Sequence, residues 1–474
     1  MTMHVGQDLH LDVVKPVLGG DGLARHEGMA VFVAGTLPGQ RVLARINAVK
    51  ARHARAEVIE VLEQSPEYEP PVCPHFGVCG GCDWLHMEYG RQLHWKRELV
   101  QETLRHLAAA EVQVAPTIAS PRIHGYRNKM EFAAARSIVT GANANTQGRA
   151  VASSGMAVGL RPRGLANAVV PIQSCALCPQ DMVDAANVIG DWAVNTGLEA
   201  YDPDTGHGFW RHMVLRQGAN PEHLMVSLIT GNDPRGKEVG PVLAEQLAKR
   251  LAHHSLRTFS VVHETRGSRT LVAQGERVMS VTGPEGLRHN LGDLELTMSS
   301  RAFFQVNSGA AEKLCQVVAD FGELRGRETV WDLYSGVGVM ALSLAGQAAR
   351  VVGFETVSQA VRDAQDNARR NAVSNCRFVV GDVSRTIPRM LGDGSAKPPD
   401  LVVADPPRAG MQADVVARLL EIDAPKLILV SCDPATLARD VKRLSPGYEL
   451  LRVQPVDMFP QTSHIECIAE LRSR

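Results

Sequence analysis

The stretch Thr329-Val-Trp-Asp332-Leu-Tyr334-Ser-Gly336-Val-Gly338-Val339, followed by Val351-Val-Gly-Phe-Glu355, decides the fold of the last third of the chain. An apolar run of strand length breaks at a glycine turn, a helix-like stretch follows, and a second apolar run ends on a carboxylate. Outward from it, strand-like segments at 329–333, 351–355, 377–380, 401–404 and 426–431 alternate with helix-like segments at 339–345, 358–371, 413–420 and 434–444. Near-continuous Val, Leu and Ile runs alternating with helices predict a parallel, doubly wound (Rossmann-like) sheet.

Open parallel sheets bind ligands at the carboxyl ends of their strands, and glycines let the backbone approach a ligand closely. Glu355 lies roughly 20 residues beyond the turn, where a carboxylate takes both hydroxyls of a ribose, so an adenosine-bearing cofactor is expected. The phosphate fingerprint G-x-G-x-x-G is missing, because Met340 and Ala341 follow Val339. A sulfonium donor carries no pyrophosphate, and acidic Asp332 and Glu355 suit its positive charge. These features favour S-adenosylmethionine over NAD and predict a methyltransferase.

Asp405-Pro406-Pro407-Arg408 follows the fourth strand. Enzymes that methylate exocyclic amines place an aromatic residue after a similar motif to stack the base, so Arg408 argues against an amine acceptor. Ser431-Cys432-Asp433-Pro434 ends the fifth strand at the same edge, beside a helix start whose dipole is expected to lower the thiol pKa from about 8.5. Cys432 is therefore a candidate nucleophile, and beside a methyl donor it points to a carbon acceptor. C5 of uracil has no lone pair; thiolate addition at C6 turns it into an enolate that can attack a methyl group. A base must then remove the C5 proton. Residues 448–458 and 464–472 read as two further strands. If the last runs antiparallel to the parallel set, Glu466 faces Cys432 and supplies that base.

The rest of the chain frames this site. At ~150 residues per domain, 474 residues suggest about three domains. Residues 8–64 show short strands at 10–17, 29–33, 41–49 and 56–62 between glycine turns, the pattern of a small closed OB-type barrel. Arg41, Arg45, Lys50, Arg52 and Arg55 follow with no acid between them, which suggests a surface that tracks a nucleic-acid backbone. Pro66, Pro70 and Pro71 mark a boundary. Leu93, Val100, Leu104 and Leu107 recur at helical spacing within 88–110, while 137–168, rich in Gly, Ala, Asn and Ser, reads as a long loop. The expected division is a barrel at 1–66, a mixed α+β middle domain with a cysteine cluster at 67–298, and a methyltransferase domain at 299–474. The helix near 88–110 is expected to pack on the last of these.

Lys+Arg 50 against Asp+Glu 51 excludes a globally polycationic wrapper and leaves only local basic faces. No apolar run approaches the ~20 residues of a membrane span, and the start lacks the basic-then-apolar order of a signal peptide, so a cytoplasmic protein is expected. Nine cysteines, an odd number, argue against a disulfide framework. Cys73, Cys79 and Cys82 instead cluster around Gly80-Gly81. Zinc and iron–sulfur both fit with a fourth ligand, for which Cys175 and Cys178 are candidates. The spacing is not that of radical enzymes, and a closed four-cysteine site suits a structural role.

With Tyr126-Arg-Asn-Lys129, Phe303-Phe-Gln305-Val-Asn307 and Met458-Phe-Pro-Gln-Thr-Ser-His-Ile-Glu466 added to these motifs, the chain resembles, over nearly its whole length, the iron–sulfur RNA uracil-5-methyltransferases. That family makes 5-methyluridine in ribosomal or transfer RNA. The resemblance implies that the barrel is a TRAM domain and that Cys73, Cys79, Cys82 and Cys175 hold a [4Fe-4S] cluster. Cys175 is preferred to Cys178 because the family's fourth cysteine lies a few residues before a proline, here Pro179. It implies that Gln305, Tyr334, Glu355 and Asp405 contact S-adenosylmethionine, with Asp382 on the adenine side, Cys432 as nucleophile and Glu466 as proton acceptor. Val339 stands where some members carry Asn. The implied partner is ribosomal or transfer RNA; no membrane partner is expected, and the protein is expected to be a monomer. The competing reading is a non-catalytic iron–sulfur RNA-binding redox sensor with a vestigial methyltransferase fold, against which stands the joint presence of Cys432, Glu466 and Glu355. A DNA or protein methyltransferase would need neither the barrel nor Cys432.

Overall fold

A computed structural model describes residues 3–140, 150–165, 167–232, 234–252, 258–395 and 397–474. The chain packs as two compact units, one of Met1–Gln92, Ile123–Glu285 and Pro460–Ser463, the other of Leu93–Arg122, Gly286–Phe459 and His464–Arg474. Among the described residues no helix is long and apolar enough to cross a membrane.

The first unit opens with a six-stranded sheet in which Asp8–Asp12 and Lys15–Pro16 form opposite edges. Those edges are consecutive in the chain, and the Val14 N–H donates to the Leu23 carbonyl at 2.8 Å between them, so the sheet closes on itself as a barrel. Period-two alternation turns Leu9, Leu11, Val31, Val33, Val42 and Ile46 into its core. The strand Gly22–His26 had no sequence counterpart. The barrel arginines differ from expectation. Arg45 makes a bidentate pair with Asp8 (2.7 and 2.9 Å), Arg41 meets Glu63 at 3.4 Å and Arg55 meets Asp21 at 3.3 Å. Neighbouring strands supply the acids that the local sequence lacks.

Beyond the barrel, the first unit holds a mixed seven-stranded sheet. The helices Gln180–Asn195 and Pro234–Leu251 contribute to its apolar core with Phe209, Trp210 and Met213. Part of the segment expected as a long loop is sheet: Lys129–Thr140 pairs antiparallel with Ala150–Gly159. Cross-strand pairing overrides the weak strand propensity of Gly, Ala and Ser, and small residues allow close packing. A Cβ on Gly190 of the covering helix would already stand 3.1 Å from Val158. Residues 141–149 of that segment lie outside the described residues.

The second unit carries the doubly wound sheet. Its strand order is Cys376–Val380, Arg350–Glu355, Thr329–Leu333, Leu401–Ala404, Lys426–Ser431, Glu466–Ser473, Tyr448–Val456. The first five are parallel; Glu466–Ser473 runs antiparallel to them, the direction on which the placement of Glu466 depended, and Tyr448–Val456, antiparallel to Glu466–Ser473, points the same way as the five. The helix Val383–Gly392 was not foreseen; Pro388 within it and only ten residues obscure its period. Strand order reverses beside Thr329–Leu333, which opens a crevice at the carboxyl ends of the strands.

Two buried polar clusters brace the loop leading toward Glu466. Lys96 Nζ sits 2.6 Å from the Asp457 carboxylate, both side chains fully buried, and donates to the Phe459 carbonyl at 3.1 Å. Asn307 caps the helix Ser308–Gly322 through Ala310 N and donates its amide to Ser120 Oγ (3.0 Å) and the Met458 carbonyl (3.2 Å). Segment 93–122 thus belongs structurally with the second unit, and so does the hairpin of Leu287–Leu291 and Leu294–Met298.

Candidate active site

The glycine turn after Thr329–Leu333 is built to leave backbone open. Tyr334 has φ +65 and Gly336 φ +53, both left-handed; for a tyrosine this is a strained conformation of the sort retained at ligand sites. No atom lies within 4 Å of where a Cβ on Gly336 would stand, whereas one on Gly338 would stand 2.9 Å from the Phe378 ring. The first glycine therefore faces open space and the second permits close helix–strand packing.

Asp332 lies beneath this turn, 1% exposed, with its carboxylate accepting from Ala341 N at 3.0 Å. Burial, then the neighbouring Asp405 and Glu355, push its pKa up to about 8. It braces the turn rather than lining the crevice. Glu355 ends the second strand, where one carboxylate oxygen accepts from Gly336 N (3.1 Å) and the other from Val357 N (2.8 Å). These bonds hold it against the glycine turn, as a ribose contact requires. Tyr334 is half-buried, its phenol pushed up to about 12 by burial and by Asp382, Asp414 and Asp440. Asp382 caps the helix Val383–Gly392, accepting from Ser384 N at 2.9 Å, and the Ser384 hydrogen bond holds its pKa below the usual carboxylate range. Gln305 is half-buried in the segment leading to the Asn307 cap.

The antiparallel last strand sets the remaining geometry. Ser431 pairs with Cys467, so one residue further Cys432 comes level with Glu466. Each lies in the electrostatic neighbourhood that Asp405 shares. Glu466 is 2% exposed, and neither its carboxyl nor that of Asp405 has a hydrogen-bond partner among the described residues. Burial raises both above the usual carboxylate range, and for Glu466 the nearby Asp405 adds to it. Two unpartnered carboxyls in one enclosed place favour shared protons over two full charges.

The resting state of Cys432 corrects the sequence expectation. Burial, then Glu466, push its thiol up to about 11, with Asp405 and Asp433 adding to the rise. The adjacent helix start does not lower it, because Asp433 caps that helix (Thr436 N to Asp433 Oδ1, 2.9 Å) and brings its own negative charge. Arg408 is a cation whose field favours the thiolate. The sequence showed Arg408 only as a missing aromatic; its place beside Cys432 follows from two strand ends meeting.

The cysteine cluster lies in the first unit. Cys79 and Cys82 lie in the fields of each other or of Cys73 and Cys175, so the four sulfurs are neighbours. Gln173 N donates to His75 Nε2 at 3.1 Å and Gly80 N to the Arg161 carbonyl at 3.1 Å, fastening the 73–82 loop near Cys175. Cys178 is buried in the apolar core and its thiol donates to Cys175, which also accepts from Leu177 N at 3.4 Å. All nine cysteines are free of disulfides. Among the described residues no three or more His, Cys, Asp or Glu side chains converge closely enough to share one metal ion.

The profile of the tRNA (uracil-5-)-methyltransferase family matches residues 244–474, and that of the TRAM domain matches residues 5–59. A Nitratidesulfovibrio vulgaris protein described as an uncharacterized RNA methyltransferase is 37% identical over 470 residues, covering 98% of this chain and 96% of that protein. A Chlorobaculum tepidum protein of the same description is 35% identical, covering 94% and 91%. The crystal structure of Pyrococcus abyssi tRNA (uracil-54, C5)-methyltransferase in complex with S-adenosyl-L-homocysteine superposes with a TM-score of 0.73 at 27% identity, over 97% of this chain and 99% of that one. The chain belongs to the RNA uracil-5-methyltransferase family, with an N-terminal TRAM domain, and is an S-adenosylmethionine-dependent RNA methyltransferase.

Proposed function

We propose that this protein methylates C5 of a uridine in ribosomal or transfer RNA through a covalent Cys432 adduct. The observation that carries it is the strand register that brings Cys432 level with Glu466, with the Asp405 carboxyl close enough to act on both. S-adenosylmethionine supplies an electrophilic methyl group on a positive sulfonium. The residues fit it: open space over Gly336, Glu355 held at the turn, and the unpartnered Asp405 carboxyl. Gln305, Tyr334, Glu355 and Asp405 would hold it, with Asp382 on the adenine side.

Cys432 rests as a thiol and must lose its proton before it acts; Arg408 stabilises the anion. The sulfur then bonds C6, and the ring electrons move toward C5 as an enolate. Once C5 carries the methyl group, ionised Glu466 takes the C5 proton and the freed pair expels the sulfur, restoring the C5–C6 double bond. A cation near Asp405 favours the ionised carboxyls that this last step needs. One chain carries nucleophile, base and donor contacts, which supports action as a monomer, and an RNA substrate supports a cytoplasmic location.

For the first unit we propose a closed [4Fe-4S] cluster on Cys73, Cys79, Cys82 and Cys175. Such a cluster gives each thiolate its own iron, so its ligands surround a volume instead of converging on one ion. The thiol of Cys178, donating to Cys175 from within the core, supports Cys175 as the ligand. The cluster would tie the 73–82 loop to the segment at 175, a structural role. A vestigial redox sensor would have no use for Cys432, Glu466 and Asp405 gathered at one sheet edge.

The test uses RNA carrying 5-fluorouracil. The proposal expects a denaturation-resistant protein–RNA adduct that Cys432→Ala abolishes; its absence with RNA that is otherwise methylated sinks the mechanism. Nucleoside mass spectrometry of ribosomal and transfer RNA from cells lacking the protein identifies the modified uridine.

A further inference from the structure

The first unit contains a cavity of about 270 Å³ that the methyl-transfer site does not use. It is lined by the small residues Ala134 and Ala135 and by Arg136, Arg161, Arg211 and His212. Arg211 is 3% exposed and fixed in orientation: its terminal nitrogens donate to the Arg266 carbonyl (3.0 Å) and the Thr270 carbonyl (2.7 Å), and its guanidinium stacks 4.0 Å over the Tyr201 ring. Its Nε–H is buried with no acceptor. Arg161 has no side-chain partner among the described residues. His212 is 5% exposed and held neutral, its pKa lowered to about 3 by burial and by Arg161, Arg211 and Arg266.

Asp202 and Asp204 also line the cavity. The Asp202 carboxylate accepts from Asp204 N (2.8 Å) and Thr205 N (3.4 Å), and the Asp204 carboxylate accepts from Asn167 Nδ2 at 3.0 Å. Arg136 pairs with Glu199 at 2.6 Å and lies in the field of Asp202, and Arg211 lies in the field of Glu276. Arg161, with no carboxylate paired to it and Arg211 beside it in the lining, favours an anion as its partner. Phosphate oxygens match the guanidinium fork, and the cavity is wider than one phosphate needs, leaving room for an attached sugar.

We propose that this cavity seats one phosphodiester of the substrate RNA, at a subsite made by residues of the first unit while the methyl-transfer residues belong to the second. The inference rests on RNA being the substrate. Arg161 is its donor, Arg211 contributes its charge from the lining, and Tyr201 is a positioning residue that holds Arg211.

The experiment compares full-length protein with Arg161→Ala, Arg161→Glu and Arg161→Lys, using an RNA fragment that the wild type methylates. Arg161→Ala is expected to weaken RNA binding about tenfold, Arg161→Glu more, and Arg161→Lys less. The slope of log K against log salt should fall by about 0.7–0.9, one phosphate's share. Melting temperature and S-adenosylmethionine affinity should stay at wild-type values. Inorganic phosphate and adenosine monophosphate form a second arm. Binding of these that Arg161→Ala abolishes, with RNA affinity unchanged, would overturn the RNA assignment in favour of a small phosphate ester. Unchanged affinity and slope with active wild type overturn the subsite alone; a wild type that neither binds nor methylates RNA overturns the proposed function as well.

Discussion

Replacing Glu466 by Gln should split the reaction into two halves that respond in opposite directions. The Cys432 thiol at about 11 lies four pH units above neutrality, so about one molecule in 10⁴ carries the thiolate at pH 7. On the proposed mechanism the ionised form attacks, so the rate of adduct formation should climb about tenfold per pH unit between pH 7 and 9. Glu466 ranks directly after burial among the causes that hold this thiol up. Removing its charge while keeping its shape lets the thiolate form more readily, so the rising limb should move to lower pH. The later step loses its base, and release of methylated RNA should slow by about 10²–10⁴-fold. Single-turnover mixing of enzyme, donor and RNA, quenched in denaturant and resolved on a gel, follows adduct rise and decay separately. The expected trace for Glu466→Gln is a rise as fast as wild type or faster, then a long plateau. Decay at the wild-type rate, or a rising limb displaced to higher pH, would refute the reasoning.

Lys96→Ala leaves the Asp457 carboxylate buried and uncompensated, at a cost of about 3–5 kcal/mol in chemical denaturation, while Lys96→Met with Asp457→Leu should recover most of that. Anaerobically prepared protein should contain about four irons per chain, and Cys79→Ala should lose them; stoichiometric zinc with no iron would overturn the cluster. Lys50 and Arg52 have no carboxylate partner among the described barrel residues, unlike Arg41, Arg45 and Arg55. Neutralising the pair should therefore weaken RNA binding and flatten its salt dependence, and an unchanged affinity would remove that face from the RNA surface.

The gathering of the candidate site at one sheet edge was legible because its residues fall at predictable places on a regular scaffold. A run of parallel strands joined by helices sends every carboxyl end to one edge, so the glycine turn, Glu355, Asp405 and Cys432 could be gathered from their positions alone. Glu466 required one further step, the direction of the last strand, and the register Ser431 to Cys467 bears it out. The lining of the Arg161 cavity had no such signature. Its arginines lie far apart in sequence, and only the pairing of Lys129–Thr140 with Trp210–Gln217 places Arg136 near Arg211.

Charge state was the part least accessible beforehand. The helix start beside Cys432 suggested an acidified thiol, yet a cap and two carboxyls from other strands reverse the sign. The barrel arginines read as unopposed until Asp8, Asp21 and Glu63 arrived from neighbouring strands. Periodicity, glycine placement and strand-end chemistry are local properties, and from them the sequence alone determined the doubly wound sheet and its edge of functional groups. Desolvation and Coulomb energy depend on separation in space, so the protonation of Cys432 and Glu466, and the pairing of each arginine, were decided only when the folded chain set those distances.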